Sequence, residues 1–460
     1  MHPVPPNQAL DQSRDTGLIR GIGLVEAIAL NVNNMIGIGP FITIPLLVAS
    51  MHGPQAMLGW VVGGVLAACD GLVWAELSAS LPGSGGTYLY LREAYGRRWG
   101  RLMSFLFIWQ VSFHAPLSFA SGAIGFSQYL NYLLPGLTPL NMKAVAVGVA
   151  LLVTALLYRR ISTVGKMAVL LLAGVLITLL ATIVAGIRNF SAARALDFPP
   201  GAFELSQAFW FGLGGASLVA VYDYLGYYNV CYIGGEVKQP ERTIPRSILL
   251  SVLIVAVLYL AMNFTLLGSI HWTELEKTQF PMSVLMERAF GSWAARLITV
   301  LILWTAFASI FSLLLGNSRI PYAAALDGNF FRPFGRLHRS ERFPNVSLVV
   351  MGLTAAFFSI FSLSAVVRTL IVIRVTVQFI GQTVGLLLLR RHRADLARPF
   401  RMWWYPAPAM LGIVLWAYIF VTARRFMLWA GALLAAGILA FLLHSYTLRE
   451  WPFSRVKREE

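Results

Sequence analysis

The sequence predicts an all-α integral membrane protein with twelve transmembrane helices, of which the first and the sixth are discontinuous. Three observations lead to this prediction. Apolar residues make up 57% of the 460 residues and charged residues only 12%, and the mean hydropathy is +0.69. Apolar runs long enough to cross a bilayer recur along the whole chain. Two of these runs contain glycine clusters, one of them followed by a proline, where a continuous helix is weakened.

A helix that crosses a bilayer needs roughly 20 mostly apolar residues, because irregular backbone is not tolerated against lipid. Runs that meet this requirement predict spans at 24–49, 55–81, 102–133, 139–158, 164–187, 207–235, 246–270, 293–318, 345–364, 367–389, 405–423 and 426–447. The first run is too long for a cleaved signal peptide, and asparagines interrupt it.

The basic residues predict how these spans are oriented. With twelve spans, both termini and every second loop lie on one side, and 26 of the 36 Lys and Arg residues fall there. Positive charge resists translocation, so this side faces the cytoplasm. We therefore predict a multi-pass protein of the cell membrane (plasma or inner) with both termini cytoplasmic. The net charge of +16 reflects this orientation, and no nucleic-acid partner is expected.

The first span contains a segment that opposes helix at mid-membrane. Gly37 and Gly39 lower the cost of leaving helical geometry, and Pro40 removes a donor and clashes with the preceding turn. These residues predict a break near 37–40, with a new half-helix starting at Pro40. Amides at that start would be unpaired and would lie at the positive end of the helix dipole. A carboxylate would be held there without a basic side chain.

The sixth span contains a second interruption around Gly226. A break near 225–226 would leave carbonyl groups of the first half unpaired and turned towards the same cavity, where they suit an ammonium group. The first and sixth spans are five apart, as expected if spans 1–5 and 6–10 are inverted repeats followed by two C-terminal helices. Interrupted segments at corresponding positions of two halves point to the binding site of a transporter.

Close helix packing is the alternative explanation for glycines in membrane helices. It is the simpler explanation for Gly63, Gly64 and Gly148. It does not account for the first span, because Pro40 disrupts the helix whatever the glycines do. Gly226 alone is compatible with either explanation, and its pairing with the first break favours an interruption.

Four motifs, in order and at the expected topological positions, resemble those of the amino acid–polyamine–organocation superfamily. They are GIGPF at 37–41, AELS at 75–78 with PGSGGTYLY at 82–90, GEVKQPERTIP at 235–245, and SR at 318–319 with AAALDG at 323–328. The resemblance covers about residues 18–445 and implies a LeuT-like five-plus-five inverted-repeat fold with two extra helices. The expected units are a cytoplasmic tail at 1–23, the transporter core at 24–390, helices 11 and 12 at 391–447, and a cytoplasmic tail at 448–460.

The resemblance also implies a substrate site. The substrate carboxylate is expected at backbone amides around Ile38 and Gly39, and the amine at carbonyls near Met35, Tyr222 and Leu225. Tyr222 falls where an aromatic gate closes over substrate in related antiporters, although a core or interfacial aromatic is the alternative. The residues expected to bind substrate are Met35, Gly37, Ile38, Gly39, Tyr222, Leu225 and Gly226.

The sequence departs from the family pattern at several positions. Ile38 replaces a small polar residue, so a hydroxyl contact to the carboxylate is lost, and Pro40 lacks an amide. Tyr228 stands where one antiporter branch has a glutamate linked to proton coupling. The fifth span has no lysine near Val175, where some proton-coupled members carry one, because Lys166 lies at its cytoplasmic start. Neither familiar coupling device is present.

Charged and titratable residues at depth are further candidates, because an unpaired charge in hydrocarbon is costly. Asp223 is predicted either as a counter-charge or protonation site, or as a structural partner of Arg374 or of the first span. His114 could carry a proton or make an interhelical hydrogen bond. Asn34 and Tyr228 complete the candidate pocket or coupling residues.

Two further acids lie on the second span. Glu76 belongs to a family-like motif and is expected to brace the cytoplasmic loop, whereas the sequence assigns no role to Asp70. The two cysteines, Cys69 and Cys231, lie in apolar stretches and offer neither a disulfide framework nor a metal site.

These observations predict a secondary active transporter of amino acids that works by alternating access, either proton-coupled or by exchange. A polyamine or other organocation transporter of the same fold is the alternative, favoured if Asp223 binds an amine. A channel is disfavoured by two inequivalent broken helices in one chain. We expect no enzyme, because the sequence has no nucleotide-binding or catalytic motif. The expected partners are a small amino acid or amine and the lipid bilayer, with no cofactor and no metal.

Overall fold

The computed structural model describes residues 18–361, 374–423, 425–448 and 451–453, and most of these residues are helical. Two isolated β-bridges are the only extended pairings in this part of the chain. The α-helices are Leu24–Met35 (α1), Gly39–Ile42 (α2), Ile44–Met51 (α3), Met57–Ser80 (α4), Thr87–Ala94 (α5), Gly96–Leu133 (α6), Pro139–Leu157 (α7), Ile161–Arg188 (α8), Ala192–Ala195 (α9), Gln207–Tyr224 (α10), Asn229–Tyr232 (α11), Pro240–Ser269 (α12), Trp272–Leu275 (α13), Pro281–Phe290 (α14), Ser292–Asn317 (α15), Arg319–Leu326 (α16), Asn345–Phe358 (α17), Gln382–His392 (α18), Ala407–Thr422 (α19) and Arg425–Leu448 (α20).

Eight helical stretches within the described residues are long and apolar enough to cross a membrane. They are Leu24–Ile42, Pro54–Ser80, Arg98–Leu133, Pro139–Leu157, Ile161–Arg188, Pro240–Ser269, Ser292–Leu326 and Met427–Thr447. Two shorter apolar helices are α17 and α19. The all-α prediction is confirmed, while the count of twelve crossings and the inverted repeat stay predictions.

Parts of the predicted organisation lie outside the described residues. These parts are most of the N-terminal tail, the end of the ninth span, the start of the tenth span and most of the C-terminal tail. The described part of the tenth span begins with a π-helical segment, Val375–Gly381, which continues into α18. The predicted domain boundaries remain predictions.

Helix packing divides much of the molecule into two groups. The second span (α4) packs against the sixth (α10) and the seventh (α12), and α1 packs against α12. In the other group, the third span (α6) packs against the fourth (α7), the eighth (α15) and the ninth (α17). The first span also contacts α8 and α15, so it lies where the two groups meet.

Charged residues tie several helix ends together. Arg319 donates from Nε and Nη2 to the two carboxylate oxygens of Glu236, both at 2.8 Å, and both side chains are buried. The amides of Gly21 and Ile22 donate to the Glu236 carbonyl. These contacts join three parts of the chain at one end of the bundle: the N-terminal segment, the exit of the sixth span and the end of the eighth span.

Glu76, which was expected to brace the cytoplasmic loop, is hydrogen-bonded to the segment between the tenth and eleventh spans. Its carboxylate accepts hydrogen bonds from Arg390 Nε at 2.7 Å and from the amide of Met402 at 2.7 Å. Arg398 lies 3.7 Å away. Glu76 therefore holds the second span to the segment that joins the tenth and eleventh spans.

Candidate functional site

The first span is broken at its predicted position. Helix α1 ends at Met35, residues 36–38 form a bend, and α2 begins at Gly39 with Pro40 as its second residue. The second half therefore starts one residue earlier than predicted, because Ile38 is already in a helical conformation and accepts from the Phe41 amide at 3.1 Å. Among the described residues, the amides of Ile38 and Gly39 have no backbone acceptor.

The sixth span is also broken. Helix α10 ends at Tyr224, residues 225–228 form a turn, and α11 begins at Asn229. Gly226 has a φ of +129°, which L side chains rarely adopt. A Cβ placed on Gly226 would lie 2.8 Å from the amide nitrogen of Met35. Glycine at position 226 therefore permits the positive φ of the turn, and it also lets the two broken spans approach each other closely.

Hydrogen bonds hold the two breaks together. The Tyr259 hydroxyl on α12 donates to the carbonyls of Met35, at 2.9 Å, and Asp223, at 3.3 Å. The Asn31 side chain accepts from the Val230 amide at 3.0 Å. Tyr259 could not be identified from the sequence, because tyrosines are common within apolar helices and only tertiary packing shows what this hydroxyl contacts.

A cavity lies where the two breaks meet, and it brings together all the predicted binding and pocket residues. These are Asn34, Met35, Gly37, Ile38, Gly39, His114, Tyr222, Asp223, Leu225, Gly226 and Tyr228. The third, eighth and tenth spans contribute further polar residues that line it. These are Ser118, Ser121, Ser309, Asn317 and Arg374, of which only Arg374 was considered from the sequence.

Asp223 is the acidic residue of the cavity wall. It is 2% exposed, and its Oδ2 accepts a hydrogen bond from the Thr43 hydroxyl at 2.6 Å. Its Oδ1 has no hydrogen-bond partner in the described part of the chain. A Cβ placed on Gly39 would lie 2.2 Å from this Oδ1, so the carboxylate lies directly against the first break. Of the two structural partners considered, the first span is the one that Asp223 contacts.

Arg374 is the basic residue of the cavity wall, and it is held by the tenth and sixth spans. Its Nε donates to Gln378 at 2.9 Å, and its Nη2 donates to the Tyr228 hydroxyl. Tyr228 is stacked on Trp74, with 4.5 Å between ring centroids. Within residues 18–361 and 374–423, Arg374 has no ion pair with Asp223. The side chains of Asp223 and Arg374 are therefore both in the cavity wall but do not pair with each other.

His114 and Tyr222 complete the polar wall. His114 is buried, and neither of its ring nitrogens has a hydrogen-bond partner among the residues that the structure describes. The interhelical hydrogen bond considered for His114 is thus not formed there. The Tyr222 hydroxyl lies 3.4 Å from Ser121 Oγ, which connects the sixth span to the third across the cavity.

Asp70 lies outside the cavity. Its carboxylate accepts hydrogen bonds from Trp74 Nε1 at 2.9 Å and from the Tyr227 hydroxyl, so it supports the turn of the sixth span. Cys69 and Cys231 are free and buried. No group of three or more His, Cys, Asp or Glu residues in the described ranges could hold a metal ion. Among the described residues, the cavity therefore offers a ligand backbone groups, hydroxyl and amide side chains, the imidazole of His114, and the charged side chains of Asp223 and Arg374.

Comparison with known proteins gives consistent matches along most of the chain. A family model described as amino acid permease matches residues 22–442. An uncharacterized transporter of Mycobacterium tuberculosis (strain ATCC 25618 / H37Rv) is 29% identical over 77% of this chain and 76% of its own length. The methylthioribose transporter of Bacillus subtilis (strain 168) is 24% identical over 94% of this chain and 95% of its own. The serine/threonine exchanger SteT of the same strain is 25% identical, with coverage of 87% and 90%.

Proposed function

The chain belongs to the amino acid permease family, in the amino acid–polyamine–organocation superfamily of multi-pass membrane proteins, and from this premise we propose that it is a secondary active transporter that moves amino acids across the cell membrane by alternating access. The observation that carries this proposal is the meeting of two broken spans at a buried polar cavity. Interrupted helices at corresponding positions of two halves are the usual site of substrate binding in such transporters.

The two breaks suit the two charges of an amino acid. The amides of Ile38 and Gly39 have no backbone acceptor in the described chain, so they can donate to a substrate carboxylate. The amine would be bound by the carbonyl of Leu225 and by that of Tyr222, which accepts a long hydrogen bond of 3.4 Å from the Leu225 amide. The Met35 carbonyl, also expected there, already accepts hydrogen bonds from Tyr259 and Gly37, so its contribution would be smaller.

Helix packing supports alternating access as the mode of transport. One packed group contains the first, second, sixth and seventh spans, and the other contains the third, fourth, eighth and ninth. The cavity is lined by residues from both groups, such as Asp223 and Ser309. A rocking motion of one group against the other would open the cavity alternately to either side. The basic loops and both termini would then face the cytoplasm.

A polyamine or organocation transporter is the second candidate function. The observation that favours it is the buried carboxylate of Asp223, whose Oδ1 has no partner in the described chain. Uptake of putrescine compared with neutral amino acids distinguishes the two candidates. The organocation candidate predicts putrescine uptake that Asp223→Asn abolishes, and the amino acid candidate predicts that serine, threonine or another neutral amino acid is preferred.

Counterflow in proteoliposomes tests the proposed function directly. The purified protein is reconstituted and loaded in turn with a panel of amino acids, putrescine and methylthioribose. Saturable counterflow of an amino acid supports the proposal and excludes a channel, and a preference for methylthioribose over every amino acid contradicts it. Gly39→Leu should abolish counterflow, because even a Cβ at this position meets Asp223. The matched control is Gly148→Leu on α7, where a Cβ would meet no atom within 4 Å.

A further inference from the structure

Asp223 is a buried acid in the cavity for which the proposed binding of a zwitterion supplies no partner. One carboxylate oxygen is bound by Thr43, and the other has no partner in the described residues. A carboxylate that is ionised and buried without a counter-charge is strongly disfavoured. This environment therefore calls for a cation at Oδ1 during at least part of the transport cycle.

The position of this oxygen determines when the cation is needed. Oδ1 lies against Gly39, whose amide is proposed to hold the substrate carboxylate. An ionised Asp223 and a bound substrate carboxylate would thus be two adjacent negative charges in a water-poor cavity, and they would repel each other. A proton on Oδ1 removes this repulsion and gives Asp223 a hydroxyl that can donate to the substrate.

We propose that Asp223 is the proton-carrying residue of this transporter, and that its carboxylate takes up one proton each time an amino acid carboxylate enters the cavity. This inference rests on the proposed function. When substrate binds from one side, an O–H bond forms at Oδ1 with a proton taken from the water on that side. It breaks when substrate leaves on the other side, where the proton passes to water. Each cycle then moves one zwitterion and one proton, and therefore one positive charge.

The other charged and titratable groups around this part of α10 do not replace Asp223 in this role. They are Tyr222 and Tyr224 on α10 itself, Asp70 on α4, Tyr259 on α12, and His114, Tyr228, Tyr232 and Arg374 across the cavity. Asp70 is engaged by Trp74 and Tyr227 and does not line the cavity. A proton on His114 would add a positive charge to a cavity that already contains Arg374, and it would leave the repulsion at Gly39 unchanged.

Exchange and gradient-driven accumulation, measured separately in proteoliposomes, test this assignment. Asp223→Asn keeps an acceptor for Thr43 and imitates the protonated acid. We expect this variant to lose accumulation driven by an inward pH gradient, and any counterflow that it shows should no longer depend on pH. Asp70→Asn is the matched control, and its ratio of accumulation to exchange should equal that of the wild type.

An Asp223→Asn variant that accumulates substrate in response to the pH gradient as the wild type does would overturn the proposal. So would a wild type driven by a sodium gradient alone.

A binding measurement on the wild type does not depend on the folding of any variant. One proton taken up per substrate makes the apparent affinity rise as the pH falls, by up to about tenfold per pH unit, because the two binding events are linked. A substrate affinity that is independent of pH would reject the assignment. If the wild type shows no amino acid counterflow, the proposed function itself fails. If it shows counterflow without any response to pH, only the role of Asp223 fails.

Discussion

Asp223 within the sixth span and Glu236 just after it are almost equally buried, at 2% and 1% exposure, but their surroundings differ. Glu236 forms a two-pronged ion pair with Arg319 at the end of the bundle. Asp223 has only one hydrogen-bond donor in the described chain, and it faces the cavity. A buried charge that is fully paired holds structure together, whereas one that is left unpaired beside a cavity is available to a ligand.

The same contrast applies to the backbone at the two places. At Glu236, the backbone carbonyl accepts hydrogen bonds from the amides of Gly21 and Ile22. At the cavity, the amides of Ile38 and Gly39 have no backbone acceptor within the described residues. Polar groups in a membrane protein are normally satisfied internally. The cavity is therefore a region where backbone amides remain available to donate hydrogen bonds to a ligand.

The largest expected effect is a loss of transport when the glycine at the break of the sixth span is replaced. Gly226→Ala should reduce counterflow at least about tenfold, because a Cβ there meets the backbone of the first break and the φ of +129° is unfavourable for alanine. Gly148→Ala, at a position where a Cβ has open space, is the control. Unchanged counterflow by Gly226→Ala would mean that the two breaks do not need this close contact.

The next effect should be on stability at the paired end of the bundle. Arg319→Gln leaves Glu236 buried without its counter-charge, which typically costs about 3–5 kcal/mol. We expect a clear fall in the thermal unfolding temperature of the protein in detergent. Asp223→Asn should lower it much less, because Asp223 has no basic partner to lose in the described chain. A larger loss of stability for Asp223→Asn than for Arg319→Gln would reverse the comparison.

A smaller effect is expected at the hydrogen bond that joins the two breaks. Tyr259→Phe removes the hydroxyl that donates to Met35 and Asp223 but keeps the ring, so the loss should be about 1–3 kcal/mol. Counterflow should slow several-fold while the protein remains folded. Tyr418→Phe, which removes the hydroxyl bonded to the Trp210 carbonyl away from the cavity, is the matched control. Equal rates for the two variants would contradict a special role for Tyr259.

The smallest effect is expected at an exposed ion pair. Arg160 donates to Glu341 at 2.7 Å and lowers the pKa of that carboxyl, first through the hydrogen bond and then through its charge. This contribution to stability is present above the ordinary glutamate pKa and is lost as the pH falls through the lowered value. Because both groups are exposed to solvent, Glu341→Gln should leave the unfolding temperature unchanged at neutral pH. A clear decrease would show that exposed pairs also stabilise this protein.

The breaks could be predicted from the sequence because they arise from local backbone chemistry. Gly37, Gly39 and Pro40 oppose a helix wherever they stand, and the turn at Gly226 requires a residue that tolerates positive φ. The predicted half-helix start was wrong by one residue, because Ile38 already adopts helical geometry. A local pattern thus predicts that a helix breaks more reliably than it predicts the residue at which the helix resumes.

The rest of the cavity could not be predicted in the same way. Ser121, Ser309 and Asn317 are residue types found throughout membrane helices, and only the packing of the third and eighth spans brings them to the cavity. The roles of Asp70 and Tyr259 likewise depend on partners far away in the sequence. The choice between Arg374 and the first span as the partner of Asp223 also required the tertiary structure.

The central claim is that the two broken spans bind both charges of an amino acid. Competition for binding by three forms of the best substrate tests it most directly: the amino acid, its methyl ester and its deaminated acid. We predict that each analogue competes at least about tenfold more weakly than the amino acid, because each leaves one set of backbone groups without its partner, at a cost of about 1.4 kcal/mol or more. Equal competition by either analogue would contradict the claim, because one of the two breaks would then make no contribution to binding.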